Sequence, residues 1–489
     1  MPGKMETLKA KRIIKIIGIW CIALVANTSY SQRVIDFTKK ASLSSDLIGL
    51  IVQGINFENG VDAYSLQYLT TGLDGEPDTA SGLVVIPDVS MKTLPALCFQ
   101  HGTVNDRTDV PSNLKGGWQL AMVMGGLGYV TFAPDYIGMG SSRGFHPYLH
   151  AETEARAAHD MYSALEEFFE KSGVGVQLTD QLFITGYSQG GHASMAYHRF
   201  LETEGEISVT AASHMSGPYS LSGVMKGLIF DDISYPNPAF VASLVVAFND
   251  VYKIYPNLSY FFKPAYADLV QKLYEEKVGV FELNEQLKTQ LTLDVGSNIA
   301  SFMFQDSILE AAKSNENHPL NLALKENDVY DWAPENPTLI VYCDGDETVN
   351  FQNSIYTDSV MRSNGAPEIF LKNAGAGLSH SGCVLPAFNA TIDFFKTYKG
   401  ATTSRATLTG IPNLEIFPNP ASDYLFFKGI PENGALVRIF DLSGRLIADK
   451  FLEGGQNELN ISQLNPGMYW LQIQSGQFVE TRKVVKQSF

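Results

Sequence analysis

From about Tyr64 onward, short apolar runs alternate with longer stretches of helical period, and no other feature narrows the possible folds as much. The alternation is the signature of an α/β fold, a mostly parallel sheet with helices on its faces. The predicted strands are Ser65 to Thr70, Gly82 to Ile86, Ala96 to Gln100, Val130 to Ala133, Leu182 to Thr185, Val209 to His214 and Thr338 to Cys343. Ala151 to Lys171 is the clearest helix, with Ala155, Ala158, Met161, Tyr162, Leu165, Phe168 and Phe169 on one side.

Two segments interrupt this rhythm. Residues 218–337 are far too long for a connection between neighbouring strands, so they are expected to form a helical cap. The cap is rich in aromatic residues (Phe230, Tyr235, Phe240, Phe248, Tyr252, Tyr255, Tyr260, Phe261, Phe262, Tyr266), which either line a site beneath it or pack its own helices. After Lys399 the composition turns small and polar, and residues 401–412 read as a linker. Beyond it the helical period disappears. Tyr469, Leu471 and Ile473 point one way along a strand while Trp470, Gln472 and Gln474 point the other. Val437 to Phe440 and Leu446-Ile447, joined by Leu442-Ser443-Gly444-Arg445, read as a hairpin, so 413–489 is expected to be a small all-β sandwich.

At the other end, Lys4, Lys9, Lys11, Arg12 and Lys15 precede an apolar run of 11 residues, Ile16 to Ala26. About 20 are needed to span a bilayer, so residues 1–31 are read as a signal peptide cleaved after Ser31; the alternative is an N-terminal membrane anchor. Removing them takes away five basic residues and one acidic one, so the net charge moves from −17 to 30 against 51, or −21. Such a surface repels phosphate backbones and excludes nucleic acid as a natural partner. Three cysteines remain, Cys98, Cys343 and Cys383, and an exported chain can pair two of them. No His-Glu-x-x-His or cysteine spacing suggests a metal site.

The chemistry centres on Gly186-Tyr187-Ser188-Gln189-Gly190. A serine hydroxyl is a poor nucleophile at neutral pH and needs a base to take its proton and donors to hold the oxyanion. The Gly-x-Ser-x-Gly pentapeptide serves this chemistry only where a strand turns sharply into a helix. The chain contains a second match, Gly140-Ser141-Ser142-Arg143-Gly144, but there the serine lies beyond its strand and Gly144 and Pro147 follow. Ser188 directly follows Gln181 to Thr185 and precedes a good helix start, His192 to His198.

An acid and then a histidine should follow the nucleophile in chain order. The loop after the strand Thr338 to Cys343 offers Asp346, with Asp344 and Glu347 as rivals. His380, in a glycine-rich loop before a helix over Val384 to Tyr398, is the expected base. His192 is closer to Ser188 in sequence, but its ring should point away from it. The oxyanion donors are expected to be the backbone N–H groups of Gln189 and of Thr103, with Gly102 the alternative to Thr103. Cys343 and Cys383 flank the acid and histidine loops; a disulfide between them and three buried thiols are both open.

These residues resemble the α/β-hydrolases, within them the secreted lipase and esterase group, over about Tyr64 to Tyr398. The motifs are His101-Gly102-Thr103, Asp135 to Gly140, Gly186 to Gly191, Asp344 to Val349 and the His380 segment. The resemblance implies acyl transfer to water through an acyl-enzyme on Ser188, a small-molecule or lipid ester as substrate, and no cofactor. The catalytic domain, residues 32–400, is expected to be monomeric. The tail is similar to the sorting domain of bacterial type IX secretion, through Phe417-Pro418-Asn419-Pro420, Asp441 to Arg445 and Leu464 to Tyr469. That similarity implies passage through the periplasm of a Gram-negative cell to the surface or medium, with the secretion machinery as partner. Three other readings stand beside these: a peptidase of the prolyl-oligopeptidase kind, whose propeller has no room before Tyr64; a non-catalytic surface-binding protein; and, for the tail, a permanent carbohydrate-binding or adhesion module.

Overall fold

The structure, a computed structural model, describes residues 33–400 except 51–54, 56, 58, 90–92 and 206, and residues 414–487 except 432–433, 441–445, 454–456 and 476–477. The predicted signal peptide and linker lie outside the described residues, as does the turn of the predicted tail hairpin. The chain divides into two units, Met1–Lys399 and Gly400–Phe489.

Among the described residues of the first unit, nine strands form one sheet: β1 (Val34–Leu43), β2 (Val61–Thr71), β3 (Pro77–Pro87), β4 (Thr93–Gln100), β5 (Val130–Pro134), β6 (Gln177–Tyr187), β7 (Ala211–Met215), β8 (Thr338–Cys343) and β9 (Ile369–Gly375). Their spatial order is β1-β2-β3-β5-β4-β6-β7-β8-β9. From β5 to β9 every neighbouring pair is parallel, whereas β1, β2 and β3 extend the sheet antiparallel. The helices in chain order are α1 (Ser45–Gly49), α2 (Trp118–Gly126), α3 (Ala151–Ser172), α4 (Gln189–Glu204), α5 (Lys226–Phe230), α6 (Pro238–Tyr252), α7 (Pro264–Tyr274), α8 (Val280–Val295), α9 (Asp306–Ser314), α10 (Pro319–Glu326), α11 (Gln352–Ser363) and α12 (His380–Tyr398).

The sheet is covered on both faces. Ala158, Met161, Leu165 and Phe168 of α3 pack with Met195 and Tyr197 of α4 in one apolar cluster, and Met122 and Val123 of α2 pack with Phe388 and Phe395 of α12 in another. Each such Leu, Met or Phe stabilises the fold by about 1.5–3 kcal/mol relative to exposure. Helix α3 ends where Gly173 takes the left-handed conformation (φ 69°) that a helix C-terminus favours.

Two strands, β1 and β9, have no counterpart in the sequence reading. Both lie at the sheet edges, and β1 reads Val-Ile-Asp-Phe-Thr-Lys-Lys-Ala-Ser-Leu with most side chains exposed. An edge strand covered on one face carries no continuous apolar run, so the pattern that reveals central strands is missing there. The strand expected at Val209 to His214 is displaced to Ala211–Met215. Helix α12 begins at His380 rather than Val384, because the Ser379 hydroxyl caps it by accepting from the Gly382 N–H at 3.2 Å. His380 is therefore the first residue of a helix and not part of the preceding loop.

Helices α5 to α10 all come from the chain between β7 and β8 and share an apolar core of their own, in which Phe230, Phe248, Phe261, Phe262 and Tyr266 are buried.

In the second unit β10 (Glu415–Phe417), β11 (Tyr424–Lys428) and β14 (Glu458–Asn460) form one antiparallel sheet. Strands β12 (Ala435–Phe440), β13 (Leu446–Leu452), β15 (Gly467–Ser475) and β16 (Phe478–Lys486) form another. Leu425, Phe427 and Leu459 of the first sheet share one core with Val437, Ile439, Leu471 and Ile473 of the second, the arrangement of a β-sandwich.

Candidate active site

The parallel strands end at one edge of the first unit, and the residues singled out in the sequence follow four of those ends. Thr103 comes after β4, Ser188 after β6, Asp346 after β8 and His380 after β9. The carboxyl ends of parallel strands are where α/β sheets open a crevice.

At the end of β6 the backbone reverses into α4 within one residue, and Ser188 takes φ 61°, ψ −122° to do so. Side chains at the two flanking glycines would block this turn. A Cβ on Gly186 would lie 2.1 Å from the Gly190 carbonyl oxygen, and one on Gly190 would lie 2.0 Å from that of Gln100. The strained serine is fixed by its own backbone: its N–H donates to the Met215 carbonyl at 3.0 Å, and its carbonyl accepts from the Gly191 N–H at 2.8 Å.

His380 Nε2 lies 2.9 Å from Ser188 Oγ, and His380 Nδ1 lies 2.7 Å from Asp346 Oδ2. A carboxylate only accepts, so Nδ1 carries the hydrogen and Nε2 presents its lone pair to the serine hydroxyl. Asp346 is 1% exposed, and its other oxygen accepts from the backbone N–H groups of Thr348 and Val349 at 3.0 and 2.8 Å.

The rival carboxylates do other work. Asp344 accepts from the Gly377 N–H at 2.6 Å and from the Asn373 amide at 2.9 Å, fastening the chain that leads to His380. Glu347 accepts from the His380 N–H at 2.9 Å, at the start of α12. Tyr187 donates its hydroxyl to the His380 carbonyl. Cys343 and Cys383 form a disulfide, and Cys98 is a buried free thiol.

The strand-end loop at His101 runs against the turn: a Cβ on Gly102 would stand 3.3 Å from the Tyr187 carbonyl oxygen and 3.7 Å from Ser188 Cβ. The Thr103 hydroxyl meets the Tyr148 hydroxyl at 2.8 Å. Among the described residues, neither the Thr103 nor the Gln189 backbone N–H has a protein acceptor.

Ser142, the serine of the second pentapeptide, is fully buried; it donates to Asp78 Oδ2 at 2.7 Å and accepts from the Gly138 N–H at 2.9 Å. Its hydroxyl is consumed in a turn. His192 is likewise buried, with Nδ1 2.7 Å from Glu154 Oε2 and Nε2 2.9 Å from the Asn327 carbonyl. No motif marks Glu154, yet the sequence holds a signal: it falls on the same helical stripe as Ala158, Met161 and Leu165, where an acid needs a partner.

Two cavities meet at this site and share Tyr148 and Gln189. One, of about 40 Å³, is bounded by Ser188 and by apolar side chains, among them Leu149, Leu221, Ile229, Phe240 and Val241. The other, of about 410 Å³, is wider and more polar, with Thr103, Arg107, His146, Glu276 and Lys277 in its wall. Tyr235 and Phe240 line the smaller cavity, whereas Phe248, Phe261, Phe262 and Tyr266 of the cap do not.

A mostly parallel sheet, a helix-capped turn bearing Ser188 at its centre and an insertion after β7 define the large unit as an α/β-hydrolase fold. Among solved structures it is similar to the rice cell wall degrading esterase LipA from Xanthomonas oryzae, at 25% identity and a TM-score of 0.63, over 74% of this chain and 96% of that one. A candidate hydrolase from Legionella pneumophila shares the fold at 22% identity and a TM-score of 0.68, over 77% of this chain and 100% of that one. Lipase A of Candida antarctica in its closed state shares it at 17% identity and a TM-score of 0.51, over 73% and 82% of the two chains. No curated protein matches the sequence. Residues 415–487 match the family model of the secretion system C-terminal sorting domain, so the chain carries the tail of a secreted or cell-surface protein.

Proposed function

We propose that the large unit hydrolyses carboxylic esters through an acyl-enzyme on Ser188. The observation that carries this reading is the hydrogen-bonded chain from Asp346 through His380 to Ser188, with both links below 3 Å. Ser188 Oγ attacks the ester carbonyl as His380 Nε2 takes its proton, and Asp346 holds the imidazolium that forms. The Gln189 and Thr103 N–H groups receive the oxyanion, and His380 returns the proton to the departing alcohol. Water then repeats the cycle on the acyl-enzyme and releases the acid.

The two cavities divide the substrate. One water needs about 10–15 Å³ of such volume, so the 40 Å³ apolar cavity beside Ser188 suits an acyl group of about two to four carbons. The larger cleft, the more polar of the two, then receives the alcohol. Residues 1–31 serve as the export signal, 401–412 as a linker, and the tail engages the type IX secretion machinery after passage through the periplasm.

The test is turnover of chromogenic esters of increasing acyl length, with a peptide amide alongside. kcat/KM should peak at about two to four carbons and fall for palmitate, and Ser188→Ala should lower kcat by at least about 10³-fold. Undiminished turnover by Ser188→Ala refutes the mechanism; a preference for long chains refutes the assignment of the small cavity.

A further inference from the structure

A second hydrogen-bonded chain reaches Ser188 through the residue after it. Gln189 Nε2 lies 2.8 Å from His146 Nε2 and 3.0 Å from Glu154 Oε1. Glu154 Oε2 lies 2.7 Å from His192 Nδ1, whose Nε2 meets the Asn327 carbonyl at 2.9 Å. Glu154 and His192 are 1% and 0% exposed. His146 Nδ1 lies 2.9 Å from the Ile137 carbonyl.

The donors and acceptors allow one arrangement of the Gln189 side chain. The Ile137 carbonyl only accepts, so His146 carries its hydrogen on Nδ1 and offers a lone pair at Nε2. One amide hydrogen of Gln189 goes to that lone pair and the other to Glu154 Oε1. Turning the amide over would set its oxygen against two acceptors, so the group is locked. The Asn327 carbonyl likewise fixes a hydrogen on His192 Nε2, and the one proton between His192 Nδ1 and Glu154 Oε2 completes the chain.

Gln189 is the first residue of α4, where a backbone N–H has no helical acceptor to set its direction. The peptide it belongs to follows Ser188, whose φ of 61° is held open against strain. We infer that Glu154 and His146 are positioning residues: by gripping the Gln189 side chain they hold its backbone N–H where the oxyanion forms. The inference rests on the ester-hydrolase reading above. Asn327 ties the grip to the cap, since it follows α10, its side-chain oxygen accepts from the Ala151 N–H at 2.8 Å and its amide donates to the Tyr252 hydroxyl at 2.8 Å.

The experiment uses the full chain, a short-chain chromogenic ester and a fluorophosphonate that labels reactive serines, with circular dichroism to verify folding. Gln189→Ala keeps the backbone N–H and removes only the gripped side chain; Glu154→Ala removes the grip. Each should lower kcat by about 10- to 100-fold with KM within about threefold, because the donor acts on the transition state. The double variant should be no slower than the slower single one, since both remove the same link. Glu154→Gln keeps an oxygen for Gln189 and a donor for His192, and should stay within about threefold of the native rate.

Unchanged kcat in Gln189→Ala overturns the inference, and that variant carries the test alone if Glu154→Ala does not fold. Losses that multiply in the double variant also overturn it, as does a Glu154→Gln loss equal to that of Glu154→Ala. If the native protein neither turns over ester nor takes label on Ser188, the hydrolase reading fails first; if it does both and the variants match it, only the positioning role fails.

Discussion

The carboxylate of Asp346 makes three hydrogen bonds, one to the His380 ring and two to backbone N–H groups of its own loop, while Asp344, two residues earlier, binds the chain at Gly377 and Asn373. Replacement by asparagine separates these uses. Asp346→Asn places an amide where an acceptor must face Nδ1–H and turns the ring toward the wrong tautomer, so kcat should fall by about 10³–10⁴-fold. Asp344→Asn keeps an acceptor for the Gly377 N–H and should cost less than about tenfold. Initial rates on a short-chain ester decide it, and the opposite order would exchange the two roles. The three residues that the structure joins could be chosen from the sequence because Ser188 and Asp346 follow apolar runs that read as strands, His380 stands in a glycine-rich stretch before a helix, and their order obeys a rule of chain direction. Glu154 and His146 obey no such rule. They meet Gln189 only because the start of α3 and the chain after β5 fold against the start of α4, a contact that no spacing encodes.

Among the elements, the central strands were legible and the edges were not. Strands β4 to β8 are buried on both faces over most of their length and carry the short apolar runs that announce them, whereas β1 and β9 carry lysine, asparagine and serine on exposed positions. Helix α12 starts four residues before the position the sequence suggests for a different reason: a serine followed three residues later by glycine is a weak cap signal, and Pro386 within the helix argues against beginning it so early. The Cys343–Cys383 disulfide joins the end of β8 to the first turn of α12 across a sequence separation of 40. A ring of that size restrains the unfolded chain, and replacing both cysteines by alanine should lower the unfolding free energy by about 2–4 kcal/mol. Urea denaturation of the two proteins measures the difference, and an unchanged midpoint would show that the bond does not contribute.

On the scale of the whole molecule, each of the two units has its own apolar core, and the sequence between them is short, small and polar. Junctions of that kind are preferred sites of nicking. Limited proteolysis should therefore cut first within residues 401–412, identified by mass, and the large fragment should keep its kcat on a short-chain ester. A first cut inside the large unit would show that the junction is not the preferred site of nicking, and loss of activity on separation would show that the tail is needed beyond sorting. The division was readable because the period of the sequence changes from helical to alternating after Lys399. The course of the cap helices was not, since their aromatic residues pack mainly against one another and record no direction toward the sheet.

The ring closed by Cys343 and Cys383 contains both Asp346 and His380. One broken peptide bond anywhere from residue 344 to residue 382 leaves the pieces bearing these two side chains covalently joined, whereas one between Ser188 and Cys343 leaves the serine piece held by packing alone. In surroundings rich in foreign proteases, the stretch that carries the acid and the base survives a single scission as one connected body.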